Sequence, residues 1–310
     1  MRRLASIAAK LALLLGIVLG IAGALSWQLA GPMIEAANHR VAVPDERLGG
    51  HAVSFASESG AQIAGWLVPG TRGAGAVILL HGVRADRSGM YRRARFLAAA
   101  GYTVLLFDFQ AHGESAGAYI TFGHLESRDA TAAVAFLRSA APHEHIGVIG
   151  LSMGAAAALL AEPPLRVDAL VLEESYPTIE EALADRLRQQ YGDHGGALLP
   201  LFTWQMPLRI GIGPDALRPI DHIGALRVPK LLIAGAQDRN TTLAESKRLF
   251  EAAAEPKEFW VVADAGHEDI RERHAAEYEP RVLEFLARWL RADQGRADQG
   301  RANQGRATAR

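Results

Sequence analysis

Three residues that follow separate apolar segments of this chain have the types and order needed for nucleophilic catalysis. The first is Ser152, which lies in Gly150-Leu151-Ser152-Met153-Gly154 between the mostly apolar residues 145–149 and the small residues 153–161. A strand, a sharp turn and a helix in this order are typical of a nucleophile elbow, where a strained serine is exposed at the end of a strand and its neighbours lack bulk. The pattern therefore predicts Ser152 as the nucleophile.

A serine hydroxyl needs a base to remove its proton, and the base needs a group that orients it. Asp238 follows the apolar segment 230–234, and His267 lies in a glycine turn after the segment 258–262. The chain order serine, acid, histidine, with each residue just past a strand, is the one found with this kind of elbow. We predict that His267 is the base and that Asp238 orients it.

The tetrahedral intermediate of acyl transfer also needs N–H donors for its oxyanion. The N–H of Met153, directly after the serine, is the first predicted donor. The second is the N–H of Val83, because Gly82 allows the backbone after the segment 76–80 to approach the site. His81, at the same strand end, is predicted to order this loop and not to act as the base.

Other chemistry-bearing residues have a weaker case. Glu173 and Glu174 follow an earlier predicted strand and are the alternative acids, although a solvated strand end would carry the same residues. His143-Glu144-His145 fits a short polar strand edge, and the chain has no H-E-x-x-H motif. We therefore predict no metal site.

The segments that must position these residues alternate between strand and helix patterns, which predicts an α/β fold with a doubly wound, mostly parallel sheet. Two alternating segments, 51–57 and 62–68, predict an N-terminal antiparallel hairpin. Continuous apolar runs, typical of parallel strands covered on both faces, lie at 76–80, 102–107, 145–149, 169–172, 230–234 and 258–262. Helices are predicted at 91–100, 125–139, 153–161, 243–254 and 276–290.

Residues 176–222 interrupt this alternation, because they contain a predicted helix at 179–191 and no strand. The rest of the segment is too apolar for a solvated loop and includes Phe202, Trp204 and Met206. We interpret it as a helical cap over the active site, with a surface excursion packed on the core as the alternative. In a cap, these three side chains would contact an apolar acyl or alcohol group of the substrate.

The first 30 residues predict a membrane-targeting segment. Three basic residues lie within the first ten, and the largely apolar residues 11–30 have about the 20 residues needed to cross a bilayer. Either an uncleaved signal anchor or a secretory signal peptide cleaved near Ala22-Gly23-Ala24 fits this pattern. The length of the apolar run and Trp27 near its end favour the anchor. Both interpretations place the basic residues on the cytoplasmic side and export the rest of the chain.

Composition and patterning limit the remaining choices. A formal net charge of −1 argues against a nucleic-acid partner, and the absence of cysteine excludes disulfides and thiolate chemistry. Residues 31–50 are predicted as a linker, 51–291 as the catalytic domain, and the five-residue polar repeat of 292–310 as a disordered tail. The sequence does not predict an oligomeric state.

Two further motifs make a family resemblance specific. H-G-x-x-x-x-R appears from His81 to Arg87, and D-x-R-x-x-G-x-S appears from Asp108 to Ser115, with Gln110 where arginine is usual. With the serine and histidine motifs, the chain resembles the serine-aminopeptidase-like branch of the α/β-hydrolases over about residues 53–290. The resemblance implies cleavage of esters, thioesters or occasionally amides without a metal or organic cofactor. Because Gln110 removes a cation beside the sheet, an altered ion pair is expected there.

We therefore expect a membrane-attached serine hydrolase that acts on a small-molecule or lipid-like ester. A serine peptidase on the same fold, or a non-catalytic membrane-attached binding module, are the alternatives.

Overall fold

A computed structural model describes residues 2–42, 48–267 and 270–291. The predicted repeat tail, 292–310, lies outside these residues, as do positions 43–47 of the predicted linker. The helices are α1 (Arg2–Ile34), α2 (Tyr91–Ala99), α3 (His124–Ala140), α4 (Met153–Leu159), α5 (Ile179–Tyr191), α6 (Leu199–Thr203), α7 (Met206–Ile210), α8 (Pro219–Ile223), α9 (Leu243–Ala252), α10 (Ile270–Arg273) and α11 (Ala275–Leu290). The strands are β1 (Ala37–Asn38), β2 (His51–Ala56), β3 (Gln62–Val68), β4 (Ala76–Leu80), β5 (Thr103–Phe107), β6 (His112–Gly113), β7 (Ile146–Leu151), β8 (Ala169–Glu173), β9 (Lys230–Gly235) and β10 (Lys257–Val262).

Eight of these strands form one sheet in the order β10-β9-β8-β7-β4-β5-β3-β2. β2 and β3 form an antiparallel hairpin, β3 is antiparallel to β5, and the remaining neighbours are parallel. The predicted α/β fold, with a mostly parallel sheet and an N-terminal hairpin, is confirmed. The chain passes from β4 to β5 on one side and later crosses to β7 on the other side of β4. In such sheets ligands bind beyond the carboxyl ends of the strands at this switch point, between β4 and β7.

The sheet separates two hydrophobic cores, which explains the continuous apolar runs. In β4, Ala76, Ile78 and Leu80 belong to one core, and Val77 and Leu79 belong to the other. Helices α3 and α4 supply the first core, and α2 and α11 the second. Successive residues of a strand point to opposite faces, so a strand buried on both sides must be apolar throughout.

The N-terminal helix α1 is long and apolar enough to cross a membrane. It continues without a break to Ile34, four residues into the segment predicted as a linker. The next residues form β1, which pairs in parallel with β6. The start of the predicted linker packs on the domain, because the side chain of Ile34 is buried in the hydrophobic core beside the sheet.

Candidate active site

Ser152 lies at the junction of β7 and α4 in a strained backbone conformation, with φ at +51°. The two flanking glycines make this turn sterically feasible. A Cβ atom at Gly154 would lie 2.3 Å from the Leu80 carbonyl oxygen, and one at Gly150 would lie 2.6 Å from the Ala155 nitrogen. The Ser152 N–H donates to the Glu173 carbonyl at 2.8 Å, which ties the elbow to β8. Both glycines of the motif are therefore required by close packing.

His267 lies between Ser152 and Asp238. Its Nε2 is 3.1 Å from Ser152 Oγ, and its Nδ1 is 2.7 Å from Asp238 Oδ2. The other carboxylate oxygen of Asp238 accepts the N–H groups of Asn240 and Thr241 at 2.7 and 3.0 Å. These bonds fix the carboxylate so that it can accept a proton from Nδ1, which leaves Nε2 free to accept the serine proton. The loops after β7, β9 and β10 thus bring the three predicted residues together.

The two alternative acids lie in different surroundings. Glu173 is fully buried and bonds to Arg93 and to the hydroxyl of Tyr278. Glu174 has a positive φ of 52°. One of its carboxylate oxygens lies within 4.8 Å of a carboxylate oxygen of Asp238 and of a ring nitrogen of His267. The chemistry of two carboxylates and an imidazole would suit a cation, but the imidazole here is aligned between Asp238 and Ser152. Glu174 is therefore the nearer competitor for the role of orienting acid.

Two histidines hold the loop that contains Val83. His81 Nδ1 donates to the Gly82 carbonyl at 2.8 Å, and its Nε2 accepts the N–H of Phe109 at 3.1 Å. Burial, and next the charge of His112, lower the pKa of His81 to about 3, so His81 stays neutral and both bonds persist at ordinary pH. His112 Nε2 accepts the N–H of Arg84 at 3.0 Å. Val83 and Met153 line the same cavity as Ser152, and their role as oxyanion donors stays a prediction.

The two motifs that carried the family resemblance meet in a buried ion pair. Arg87, at the end of the first motif, bonds to Asp108, at the start of the second, and also to Glu114. Gln110, where arginine is usual, donates to Glu126 at 2.8 Å. Glu126 is fully buried and accepts four hydrogen bonds, all from neutral donors. Hydrogen bonds from neutral donors therefore surround Glu126 at the place where the usual arginine is replaced by Gln110.

A cavity of about 330 Å³ lies above Ser152 and His267 and is covered by the segment predicted as a cap. Helix α5 supplies much of its lining, and Phe202 of α6 lines it as well. Met206 borders a second, smaller cavity of about 30 Å³ that shares Phe202 with the first. The prediction for Trp204 does not fit this geometry. Its ring lies outside both cavities and is 6.1 Å from the ring of Trp27.

The end of α1 is a wall of this cavity that the sequence analysis did not predict. Leu29, Pro32 and Met33 line the cavity beside the catalytic residues. The one signal in the sequence is that apolar residues continue past residue 30 to Ile34. Because the sequence analysis assigned residues 31–50 to a linker, it did not extend the helix to Ile34.

A pair of buried carboxyl groups joins the cap to the loop that carries Asp238. Glu245 of α9 caps its own helix by accepting the N–H of Thr242 at 2.7 Å, and Asp185 of α5 lies against it. Burial, and then the nearby charge and hydrogen bond of Asp185, raise the pKa of Glu245 from 4.5 to about 7. A protonated Glu245 can donate to Asp185, so this contact is strongest when Glu245 carries its proton.

The contact predicts a pH dependence of stability. Because the pKa of Glu245 is raised in the folded protein, its stabilising contribution is complete below pH 4.5 and is lost as the pH rises through about 7. Glu245→Gln keeps a donor and an acceptor but cannot ionise. We expect the drop in Tm between pH 5 and pH 8 to be smaller in this variant than in the parent. Glu251→Gln, at an exposed position of the same helix, is the control and should behave like the parent.

Comparison with known proteins agrees with this fold. A family model described as "Serine aminopeptidase, S33" matches residues 71–201. An uncharacterized protein of Mycobacterium tuberculosis, Rv2307c, is 33% identical over 71% of this chain and 73% of its own length. The uncharacterized protein YqkD of Bacillus subtilis is 28% identical over 68% of this chain and 70% of its own length. The solved structure of the Pyrococcus furiosus esterase Pf2001 is similar with a TM-score of 0.67 at 28% identity, covering 82% of this chain and 99% of the esterase.

Proposed function

Because this chain belongs to the α/β-hydrolases, in the branch described as serine aminopeptidase S33, we propose that it is a serine esterase acting by acyl transfer to Ser152. The observation that carries the proposal is the alignment of Asp238, His267 and Ser152 through hydrogen bonds of 2.7 and 3.1 Å. The likeness to an esterase of known structure supports an ester as the substrate.

The reaction follows from the proton positions. His267 Nε2 takes the proton of Ser152 Oγ as that oxygen attacks the ester carbonyl carbon. Asp238 accepts the hydrogen bond from Nδ1 and stabilises the imidazolium that forms. The C–O bond to the alcohol then breaks, and His267 gives the alcohol its proton. Water, activated by the same base, attacks the acyl-serine and releases the acid.

The N–H groups of Val83 and Met153 are proposed to bind the oxyanion of both tetrahedral intermediates. Removing one such donor typically costs about 10²–10³ in kcat. The bonds of His81 to Gly82 and Phe109 support this role, because they hold the loop on which Val83 lies.

The cavity favours a hydrophobic ester. Apolar side chains from the cap and from α1, among them Phe202, Leu183 and Met33, surround the space above the serine. At about 330 Å³ the cavity lies near the lower end of the range for small-molecule sites, about 300–1,000 Å³. These features support an apolar acyl or alcohol group on the substrate.

We also propose that α1 anchors the protein in a membrane and that the catalytic domain lies on the exported side. Between Leu4 and Ile34 the helix has the length and apolar composition of a membrane span. Its charges at Arg2, Arg3 and Lys10 support a cytoplasmic N-terminus. Cleavage of the segment as a signal peptide, giving a secreted enzyme, is the alternative.

The proposal is tested by labelling the full chain with a fluorophosphonate, which attaches covalently to an activated serine, and by identifying the labelled peptide. We expect the label on Ser152 and hydrolysis of p-nitrophenyl esters that rises with acyl length. Release of amino acids from peptides, with esters left intact, would instead indicate a peptidase. An unlabelled serine together with no ester hydrolysis would indicate the non-catalytic binding module.

A further inference from the structure

The last turns of α1 are fixed to the cap by specific contacts. Trp204 Nε1–H donates to Ser26 Oγ at 3.3 Å, and the side-chain amide of Gln205 donates to the Ser26 carbonyl at 3.2 Å. Arg209 donates to the backbone carbonyl of Trp27. Its guanidinium carbon also lies 3.9 Å from the centre of the Trp27 indole ring. This end of the helix is therefore docked on α6 and α7 and is more than a tether.

The buried residues at the end of α1 have the spacing expected when one face of a helix packs against a protein surface. Ser26, Ala30 and Ile34 are buried and recur every four residues, so they share one face of α1. Leu25 and Leu29, at neighbouring positions, are 59% and 56% exposed. The helix thus turns one face to the protein and leaves the other face apolar and uncovered in the described structure.

The same helix end also reaches the catalytic machinery. Arg84, next to the proposed oxyanion donor Val83, donates to the Pro32 carbonyl at 2.7 Å. Leu29 lines the catalytic cavity although more than half of it is exposed, so it lies at an opening of the cavity beside α1. Met33, one helical turn farther along α1, lines both the catalytic cavity and the neighbouring smaller one.

The opening lies at the level where α1 would leave the hydrocarbon of a bilayer. Residues 11–30, at about 1.5 Å per residue, span about 30 Å, which is the thickness of the hydrocarbon layer. Beside this level the cap exposes Trp204 (46%) and Leu208 (69%), and Trp27 of the helix is 38% exposed. Tryptophan is enriched at membrane–water interfaces, so these side chains fit a surface in contact with lipid.

We propose that Leu29, Pro32 and Met33 contact the substrate, and that the substrate is a long-chain ester entering from the bilayer between α1 and the cap. The inference rests on the proposed esterase function and names its substrate class. The acyl chain would extend from Ser152 past Met33, and its far end would reach the lipid beside Leu29. A soluble short-chain ester would use only the part of the cavity close to Ser152.

The first test compares two esters of one alcohol. The full chain is reconstituted in phosphatidylcholine vesicles and assayed with 4-methylumbelliferyl butyrate in solution and with 4-methylumbelliferyl oleate dissolved in the same vesicles. Met33→Trp is expected to lower kcat/KM for the oleate about tenfold or more beyond any loss for the butyrate, because only the longer acyl chain loses two or three methylene contacts past this position. Leu25→Trp, on the exposed face of α1, is the control and should leave both esters unaffected. Equal losses on both esters, or no loss on either, would overturn the inference.

A second test remains informative if Met33→Trp does not fold. Because the chain has no cysteine, Leu29→Cys carries a single thiol, and Leu25→Cys is the matched control. Each variant is treated with a hexadecyl or a methyl fluorophosphonate, in which Ser152 Oγ displaces fluoride from phosphorus, and is then exposed to a maleimide. We expect the hexadecyl group to abolish maleimide labelling of Leu29→Cys but not of Leu25→Cys, and the methyl group to protect neither.

The possible failures of the second test are distinguishable. Unchanged labelling of Leu29→Cys after the hexadecyl reagent has reacted would refute the role of α1 and leave the esterase proposal intact. Failure of both fluorophosphonates to react with Ser152 would refute the esterase proposal itself, and with it the inference that depends on it.

Discussion

Replacing Ser152 by alanine is expected to lower kcat for p-nitrophenyl butyrate by about 10⁶, the loss typical when the nucleophile of such a triad is removed. The substitution deletes only the Oγ atom, which is the group that forms the acyl bond and the partner of His267 Nε2 at 3.1 Å. KM should change little, because the cavity walls remain. The measurement is a steady-state ester assay with purified full-length protein.

A buried serine away from the cavity provides the control for this variant. Ser246 of α9 is 5% exposed, and its hydroxyl has no hydrogen-bond partner among the described residues. Ser246→Ala removes the same atom and should keep the activity of the parent. Residual hydrolysis by Ser152→Ala, about 10³–10⁴ above the rate in water, is still expected from the oxyanion donors and substrate binding. A parent-like rate in Ser152→Ala would exclude acyl transfer through this residue.

The strands and the convergence of the catalytic loops could be predicted because both follow from local patterns. A strand buried on two faces has no polar alternation, so β4, β7 and β9 stand out as apolar runs. Parallel strands end on the same side of a sheet, so residues just after β7, β9 and β10 must lie close together. Ser152, Asp238 and His267 could therefore be selected from the chain without knowledge of contacts between distant residues.

The docking of α1 on the cap could not be predicted in this way. The contacts of Ser26 with Trp204 and Gln205 join residues about 180 positions apart, and neither segment has a pattern that indicates the other. Trp204 illustrates the difficulty. Its apolar ring was compatible with the cavity or with the outer face of the cap, and only the packing of α6 and α7 against α1 decides between them.

The sequence could limit Glu173 and Glu174 to one candidate acid, but only the structure shows which of the two faces the site. Consecutive residues at a strand end point in opposite directions, so one of the two had to face away from the site. Glu173 faces Arg93 and Tyr278 in the interior, whereas Glu174 lies toward Asp238 and His267. Sequence patterns favoured Asp238 as the acid that orients the imidazole and left Glu174 as the alternative, because both are carboxylates at neighbouring strand ends.

Asp238→Asn is expected to lower kcat by about 10⁴, the effect of losing the acid of a Ser-His-Asp triad. The amide keeps an oxygen that can accept the N–H groups of Asn240 and Thr241, so the loop after β9 should keep its conformation. Its NH₂ group then faces His267 Nδ1 and favours the tautomer with the proton on Nε2, which cannot accept the proton of Ser152. The assay is the hydrolysis of p-nitrophenyl butyrate, with Tm measured for each protein to verify folding.

Glu174→Gln is the matched variant for this prediction, since it neutralises the other carboxylate near His267 with the same loss of charge. If Asp238 orients the imidazole, Glu174→Gln costs far less than Asp238→Asn, because the 2.7 Å bond to Nδ1 is intact. The reverse order of effects would transfer the role of orienting acid to Glu174, the alternative nearer to the triad. Equal and small effects would mean that the imidazole needs neither carboxylate. This result would contradict the proposed mechanism, in which a carboxylate accepts the hydrogen bond from His267 Nδ1.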